Sequence, residues 1–398
     1  MPAPSLWSWG FVGLLGLLGW PEGAARGQVA GEPYHRPEAI EMIAGILDGT
    51  AMRGQGHGWF HPAQIRHGWD WLANERDGDR NGAVTPSEWL GSDRDFARLD
   101  RNHDRAIKPD DFDWSENALY LRQGEFFRYH FRKIDADHDG RVTQPEWDGF
   151  FARISDGKDH LTVDDFREAW IVTPPPMPLA ALLRSNPFQP SAEWAIKRTL
   201  ITGLARSEIG SVREGPALGA VAPDFTLATR DGSRRITLSE VVGRKPVVLV
   251  FGNYTCGPFR RQFPQIDDIA RRYADRAEFL MVYVREAHPT DGWRMDDNDE
   301  VGIALDQPTD YAGRVAVADR CGQALKPSMP VLVDTMTDQV GHLYSGMPSR
   351  LYVIDPSGRI TYKAGRGPYG LRPGEMEQLL ILTLQANPTT PSTEPKPE

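Results

Sequence analysis

The stretch VFGNYTCGPFR, residues 250–260, places one cysteine between an apolar run and the start of a helical pattern. The run Val247–Phe251 reads as a buried strand. Beyond the cysteine, Phe259, Phe263, Ile266, Ile269 and Tyr273 recur at helical spacing, with a kink expected at Pro264. Cys256 therefore falls at a helix N-terminus, where the positive end of the helix dipole and free backbone N–H groups favour a thiolate. Phe259 stands where a C-x-x-C motif would carry its second cysteine, so a local dithiol is excluded. Cys256 acts alone or with the other cysteine of the chain, Cys321 in VADRCGQAL. That residue reads equally as a buried small hydrophobe and as a resolving thiol.

Working outward, apolar β-type runs alternate with helical patterns from 217 to 385, which predicts an α/β domain with parallel strand pairing. Its start, VAPDFTLATRDGSRRITLSEVV, predicts a strand near Phe225, a turn at Asp231–Gly232 and a short helix near Leu238. The breaker TPPPMP opens a linker over 173–216, which holds one helix, SAEWAIKRTLITGLARS, with Ser191 as its N-cap. The Pro- and Thr-rich tail 386–398 cannot bury a core and reads as disordered.

The composition narrows the partners. A chain of 398 residues with formal net charge −10 and pI near 5.5 is a poor nucleic-acid binder, since phosphate contacts need clustered Lys and Arg. Its acidic residues point to cations. With two cysteines, stapling is limited to one bond. Residues 1–27 hold an apolar segment, Leu6–Trp20, short for a bilayer span of ~20 residues, and small residues follow it. They read as a secretory signal peptide or, uncleaved, as an anchor. The expected location is thus periplasmic or secreted, with a membrane association only through that anchor.

Residues 38–172 carry internal repeats. DGDRNGAVTPSE, 77–88, sets Asp77, Asp79 and Asn81 at loop positions 1, 3 and 5, Gly82 at the sharp turn, Ala83 as a backbone ligand, Thr85 at position 9 and Glu88 at position 12. DADHDGRVTQPE, 135–146, repeats this with Asp135, Asp137, Asp139, Gly140, Arg141 through its carbonyl, Thr143 and Glu146. A hard cation wants six to eight oxygens, and alternate residues of a tight loop supply them. The intervening copies are degraded. DRNHDRAIKPDD, 100–111, has Arg105 in place of the turn glycine and Lys108 aimed at the site, and FARISDGKDHLTVDDF, 151–166, is one residue short. The expected cofactor is Ca2+, bound by the first and third loops of two paired units. These segments resemble EF-hands, and the resemblance implies that Val84 and Val142, at position 8, pair with neighbouring loops.

VFGNYTCGPF, FLMVYVREAHPTDGW (279–293), PVLVDTM (330–336), LYSGMPSRLYVID (343–355) and AGRGPYG (364–370) occur in one order over about 165 residues. Together they resemble the iodothyronine deiodinase family. The resemblance implies a thioredoxin-like C-terminal domain behind an all-α EF-hand domain. It also implies a reductive catalytic sulfur at Cys256, where the family commonly has selenocysteine, and proton handling by His288 in the EAH triplet. Glu286, two residues earlier, reads as a partner of the imidazole or as a solvated carboxylate. Pro348 falls where thioredoxin-like folds keep a cis proline beside the reactive sulfur. Arg366 reads as a carboxylate grip or a surface residue.

Two departures bear on the substrate. IALDQPTD offers Asp306 where the family's hormone-binding enzymes carry a second histidine, and Ser349 stands in place of a glutamate. The sequon at Asn253 reads as a false match, because a glycan there would block the thiol. The expected function is a calcium-binding, thiol-dependent oxidoreductase acting on an aryl halide, a disulfide or a peroxide with a thiol reductant. The alternative is a calcium-binding scaffold with a non-catalytic redoxin domain.

Overall fold

The computed structural model describes residues 38–48, 63–115, 118–170, 192–205, 213–367 and 370–387. The signal or anchor segment, Ser191 and most of the tail lie outside the described residues. In chain order the helices are α1 (Glu38–Asp48), α2 (Trp69–Arg76), α3 (Asp93–Leu99), α4 (Leu119–Ile134), α5 (Gln144–Ser155), α6 (Val163–Trp170), α7 (Ala192–Ala205), α8 (Leu238–Val241), α9 (Gly257–Arg272), α10 (Asp296–Glu300), α11 (Tyr311–Leu325), α12 (Gln339–Tyr344) and α13 (Pro373–Ala386). The strands are β1 (Gln64–Ile65), β2 (Thr226–Thr229), β3 (Arg235–Thr237), β4 (Val247–Gly252), β5 (Glu278–Tyr283), β6 (Val331–Val333), β7 (Arg350–Ile354) and β8 (Ile360–Lys363).

The eight strands form one sheet in the order β1-β8-β7-β4-β5-β6-β2-β3. β4 is VVLVFG with every residue buried, the mark of a central strand covered on both faces. It runs parallel to β5, with Val247 opposite Glu278 and Gly252 opposite Tyr283, and antiparallel to β7, with Phe251 opposite Arg350. β5 is parallel to β6, and β7 and β8 make an antiparallel pair on which α13 packs. The parallel pair joined by α9, followed by the terminal β7–β8 pair and a last helix, is the thioredoxin-like arrangement. The Met347–Pro348 peptide bond, directly before β7, is cis.

The turn between β4 and α9 is tight because Gly252 has no side chain: a Cβ there would come within 2.2 Å of the Phe259 ring. α9 runs unbroken through Pro264 from Gly257 to Arg272. The expected proline kink leaves no break in the helix, and Phe263 and Ile266 on either side stay buried.

The calcium-loop region does not stand apart. Leu72, Val84, Trp89, Phe96, Leu99 and Ile107 belong to the same apolar core as the sheet. β1 extends that sheet by pairing with β8. α1, read in the sequence as the start of the calcium region, packs instead against α7 of the linker, forming a second small core of Met42, Ile46, Leu200 and Leu204.

Candidate active site and calcium loops

Cys256 is the N-cap of α9, held there because β4 ends at Gly252 and Pro258 suits the first helical turn. Its side chain is 1% exposed. Four residues upstream of the helix body, Asn253 organises the turn. Its Oδ1 accepts from the backbone N–H of Cys256 (3.0 Å), the hydroxyl of Thr255 (3.2 Å) and the N–H of Ala287 (3.2 Å). Its Nδ2 donates to the carbonyl of cis Pro348 at 2.9 Å. One buried amide thus ties together the thiol turn, the chain after β5 and the entry to β7.

Glu286 is fully inside. It accepts from the Thr255 N–H at 2.8 Å and from the Tyr283 hydroxyl, which itself accepts from the Tyr254 N–H at 3.1 Å. Burial is the largest influence on this carboxyl and raises its pKa. His288 lies in the loop past the end of β5. Its backbone N–H donates to Thr255 Oγ1 at 3.0 Å, which moors the loop to the thiol turn. Its Nδ1 meets the Trp293 carbonyl at 3.0 Å, and the two rings pack edge-on with centroids 4.9 Å apart. A carbonyl only accepts, so Nδ1 carries the proton, and Nε2 is the position that gains or gives one. Glu286, read from the sequence as a partner of the imidazole or as a solvated carboxylate, is instead buried and engaged by Thr255 and Tyr283, and a main-chain oxygen meets the ring at Nδ1.

The thiol's electrostatics oppose the simple helix-terminus expectation. Burial pushes the Cys256 pKa up, and Glu286 pushes the same way. The Phe259 N–H and the guanidinium groups of Arg260 and Arg261 pull it down, without prevailing. Cys321, on α11, is buried and free like Cys256, and burial raises its pKa far above the usual thiol range. The Arg260 guanidinium feels both thiols. Arg366 is buried, and its Nη2 holds a carboxylate, that of Glu38, at 2.8 Å. Asp306 accepts from the Thr290 hydroxyl.

The first and third loops bring their carboxylates together as their spacing predicts. Oxygens of Asp77, Asp79 and Glu88 lie within 4.8 Å of one another, and so do those of Asp135, Asp137 and Asp139. Asp77 accepts from the N–H groups of Asn81 and Gly82, at 3.0 Å each, and Glu88 Oε2 from Thr85 N and Oγ1 at 2.9 and 2.8 Å. Glu146 repeats the capping contact with Thr143 at 2.8 Å. Burial, then the neighbouring Asp139, Asp137 and Glu146, raise the pKa of Asp135, a carboxylate crowded by like charge. An all-oxygen set with Ala83 and Arg141 offering carbonyls fits Ca2+. In the degraded loops a lysine stands with the acids: Lys108 Nζ is 2.5 Å from Asp104, and Lys158 Nζ 2.5 Å from Asp165. Val84 and Ile107, at position 8 of the first two loops, exchange both backbone hydrogen bonds at 2.9 Å. Among the described residues no such bridge joins the third and fourth loops.

Sequence reasoning singled out Cys256, Glu286, His288 and Pro348, and the fold gathers them around one turn. It passed over Asn253, whose NYT context was the available signal, together with Thr255, Tyr283 and Trp293. These are the polar and aromatic residues of the quoted motifs themselves.

Strand order, cis proline and a lone cysteine capping the helix that follows β4 define a thioredoxin-fold protein with a single thiol at that turn. More particularly, residues 189–382 match the family model for iodothyronine deiodinase, and residues 129–151 match that for EF hand. The C-terminal region is thus similar to the iodothyronine deiodinase family, and a short segment before it is similar to EF hands. Among its relatives are the thyroxine 5-deiodinase of Aquarana catesbeiana, 36% identical over 166 residues, and the type I iodothyronine deiodinase of Xenopus laevis, 30% identical over 163. Each alignment covers 41% of this chain and 59% or 62% of the relative, so the chain spans about three fifths of the length of the curated relatives it matches. Solved structures that align with it include a thiol:disulfide interchange protein of the thioredoxin family from Chlorobium tepidum (15% identity, TM-score 0.30, 43% of this chain and 99% of that one). Another is the thioredoxin domain of a thiol-disulfide oxidoreductase from Bacteroides vulgatus (18%, TM-score 0.30, 43% and 98%). At those scores the fold rests on the strand order itself.

Proposed function

We propose that this protein is a thiol-dependent reductase of deiodinase type, with Cys256 as its nucleophile and two calcium sites in the region that precedes it. The observation that carries the reading is the Asn253 amide, which fixes the Cys256 backbone against the cis Pro348 loop and the chain leading to His288. On an aryl iodide, the Cys256 thiolate takes the iodine as an iodonium equivalent. The C–I bond breaks, an S–I bond forms, and the ring carbon takes up a proton, for which the His288 imidazolium is the donor. One equivalent of a thiol reductant displaces iodide to give a mixed disulfide. A second equivalent releases Cys256 as the thiol and leaves as the oxidised disulfide. Disulfides and peroxides are further substrates open to the same sulfur. With Asp306 in place of the second histidine and Ser349 in place of the glutamate, thyroid-hormone recognition is not part of the proposal.

Asp77, Asp79, Asn81, Thr85 and Glu88 would hold one Ca2+, with Ala83 through its carbonyl. Asp135, Asp137, Asp139, Thr143 and Glu146, with the Arg141 carbonyl, would hold another. Bound there, the ion supplies local rigidity, not chemistry at the thiol. Export by residues 1–27 belongs to the same proposal, and no described helix is long and apolar enough to cross a membrane.

One observation favours a second reading. Burial raises the Cys256 pKa, which suits a calcium-binding scaffold whose thiol is inert. Intact mass and iodide release after incubation with an iodinated phenol and dithiothreitol separate the two. Release that disappears in Cys256→Ser and persists in Cys321→Ser supports the reductase, and no release from the wild type leaves the scaffold.

A further inference from the structure

Glu38, the first residue of α1, is a buried carboxylate shared by three buried cations. Its Oε1 accepts from Arg350 Nη2 at 2.7 Å and lies 3.3 Å from Lys363 Nζ, and its Oε2 accepts from Arg366 Nη2 at 2.8 Å. The two guanidinium groups are anchored by the fold independently of it. Arg350 donates to the carbonyls of Ala364 (3.0 Å) and Glu214 (3.2 Å), and Arg366 to that of Arg213 (2.9 Å). The cations thus belong to β7, β8 and the loop after them, whereas the carboxylate arrives from a segment more than 300 residues away in sequence.

Glu38, Met42 and Ile46 fall at four-residue steps, one stripe of α1. Below the carboxylate, Met42 and Ile46 pack on Leu200 and Leu204 of α7 in a core separate from the main one, with Trp293 against it. Trp293 is the residue whose carbonyl and ring hold His288. Arg350 stands two residues beyond Pro348, whose carbonyl holds Asn253. α1 is therefore tied down on both sides of the thiol turn, by ions on the β7 side and by apolar contact on the His288 side.

We propose that Arg350, Lys363 and Arg366 form a carboxylate-binding site whose occupant is the chain's own Glu38, and that this contact latches the α1–α7 pair as a cover over the Cys256 site. The inference rests on the reading of Cys256 as the functional centre. Loss of the Glu38 carboxylate leaves three buried cations beside the single negative charge of Glu214, which accepts from the Glu38 N–H at 3.2 Å, so the cluster is under-neutralised and the latched state is destabilised. The small apolar core alone offers few contacts to keep the cover closed, which makes α1 the bistable element.

The test is iodoacetamide labelling of both cysteines in the full chain, followed by mass spectrometry, with amide exchange of residues 38–48. Glu38→Gln should speed alkylation of Cys256 by on the order of tenfold or more and leave Cys321 unchanged. Met42→Ser, which attacks the apolar side and leaves the charges alone, should act in the same direction and decides the matter if Glu38→Gln does not fold. In the wild type the α1 amides should exchange well before those of β4, a measurement that needs no variant. An unchanged Cys256 rate in a folded variant overturns the latch. So does a parallel rise in both thiols, and so do α1 amides as protected as those of β4. Iodide release from an iodinated phenol is read separately: its absence while the labelling pattern holds counts against the reductase and not against the latch.

Discussion

At the residue scale, Asn253 and Cys256 are the positions on which the proposed chemistry depends. Asn253 Oδ1 satisfies three donors, and leaving buried donors unpaired costs roughly 1–3 kcal/mol per group. Asn253→Ala should therefore lower stability by about 2 kcal/mol or more in urea denaturation and slow thiol turnover. Asn253→Asp, which keeps the acceptors and loses the donation to Pro348, should fall between. For Cys256 the sign of the pKa shift fixes a pH profile. The folded thiol holds its proton above the free value of ~8.5, so its alkylation rate should still be climbing at pH 9, where the denatured chain has begun to level off. A plateau at or below the free value in the folded protein would contradict this. Glu286→Gln removes one upward influence and should move the profile to lower pH.

At the element scale, the four EF-hand-like loops divide by what stands with their acids. Loops one and three present converging oxygens, whereas Lys108 and Lys158 accompany the acids of loops two and four. Lys158, with the Thr162 N–H and hydroxyl, holds Asp165 down to about 2, an acid already paired. Titration calorimetry should find two sites. Glu88→Gln and Glu146→Gln should each remove one, because each loses the bidentate closure, and Asp111→Asn should leave both. The third loop also touches α9. A Cβ on Gly140, at φ +84, would lie 2.6 Å from the Arg261 carbonyl, so this loop seats against the helix that Cys256 caps. Gly140 is needed twice there, for its backbone conformation and for the close approach.

At the scale of the whole molecule, the calcium-loop region and the redoxin sheet behave as one folded body. Trp114 Nε1 donates to Gln378 on α13 at 2.8 Å, and Gln378 returns a bond to the Asp111 carbonyl at 2.9 Å. Arg276 pairs with the buried Asp95. Beneath this seam lies Glu375, whose pKa burial raises to about 7, and which accepts from the Tyr362 hydroxyl at 3.2 Å. Its unfolded value is near 4.3, so between these the native state binds the extra proton. The resulting stability is fully present below the unfolded pKa and is lost as pH rises through about 7. Thermal unfolding should show Glu375→Gln gaining on the wild type as pH goes from 5 to 8. A difference that stays constant across that range would place the proton elsewhere.

The spacing that brings the loop carboxylates together, the cysteine at a helix start, the strand from Val247 and the α/β class were legible in the residues themselves, whereas the expected parallel pairing holds only for β4–β5 and β5–β6, the other pairs being antiparallel. Each is local: loop positions one to twelve, or a period of two or 3.6, are set by nearest neighbours along the chain. What the chain could not announce depends on segments distant in sequence meeting in a dry interior. The upward shift of Cys256 needed the burial that only packing supplies. The Trp293 carbonyl in place of Glu286 as the partner of His288 depended on where the loop after β5 turned. Arg366 was read as a carboxylate grip or a surface residue, and only the tertiary structure brought Glu38 to it. The joining of the EF-hand-like loops to the sheet likewise followed from the burial of Leu72 on α2 and of Phe96 and Leu99 on α3 in the sheet's core, a decision made by surface burial across segments distant in sequence rather than by any motif.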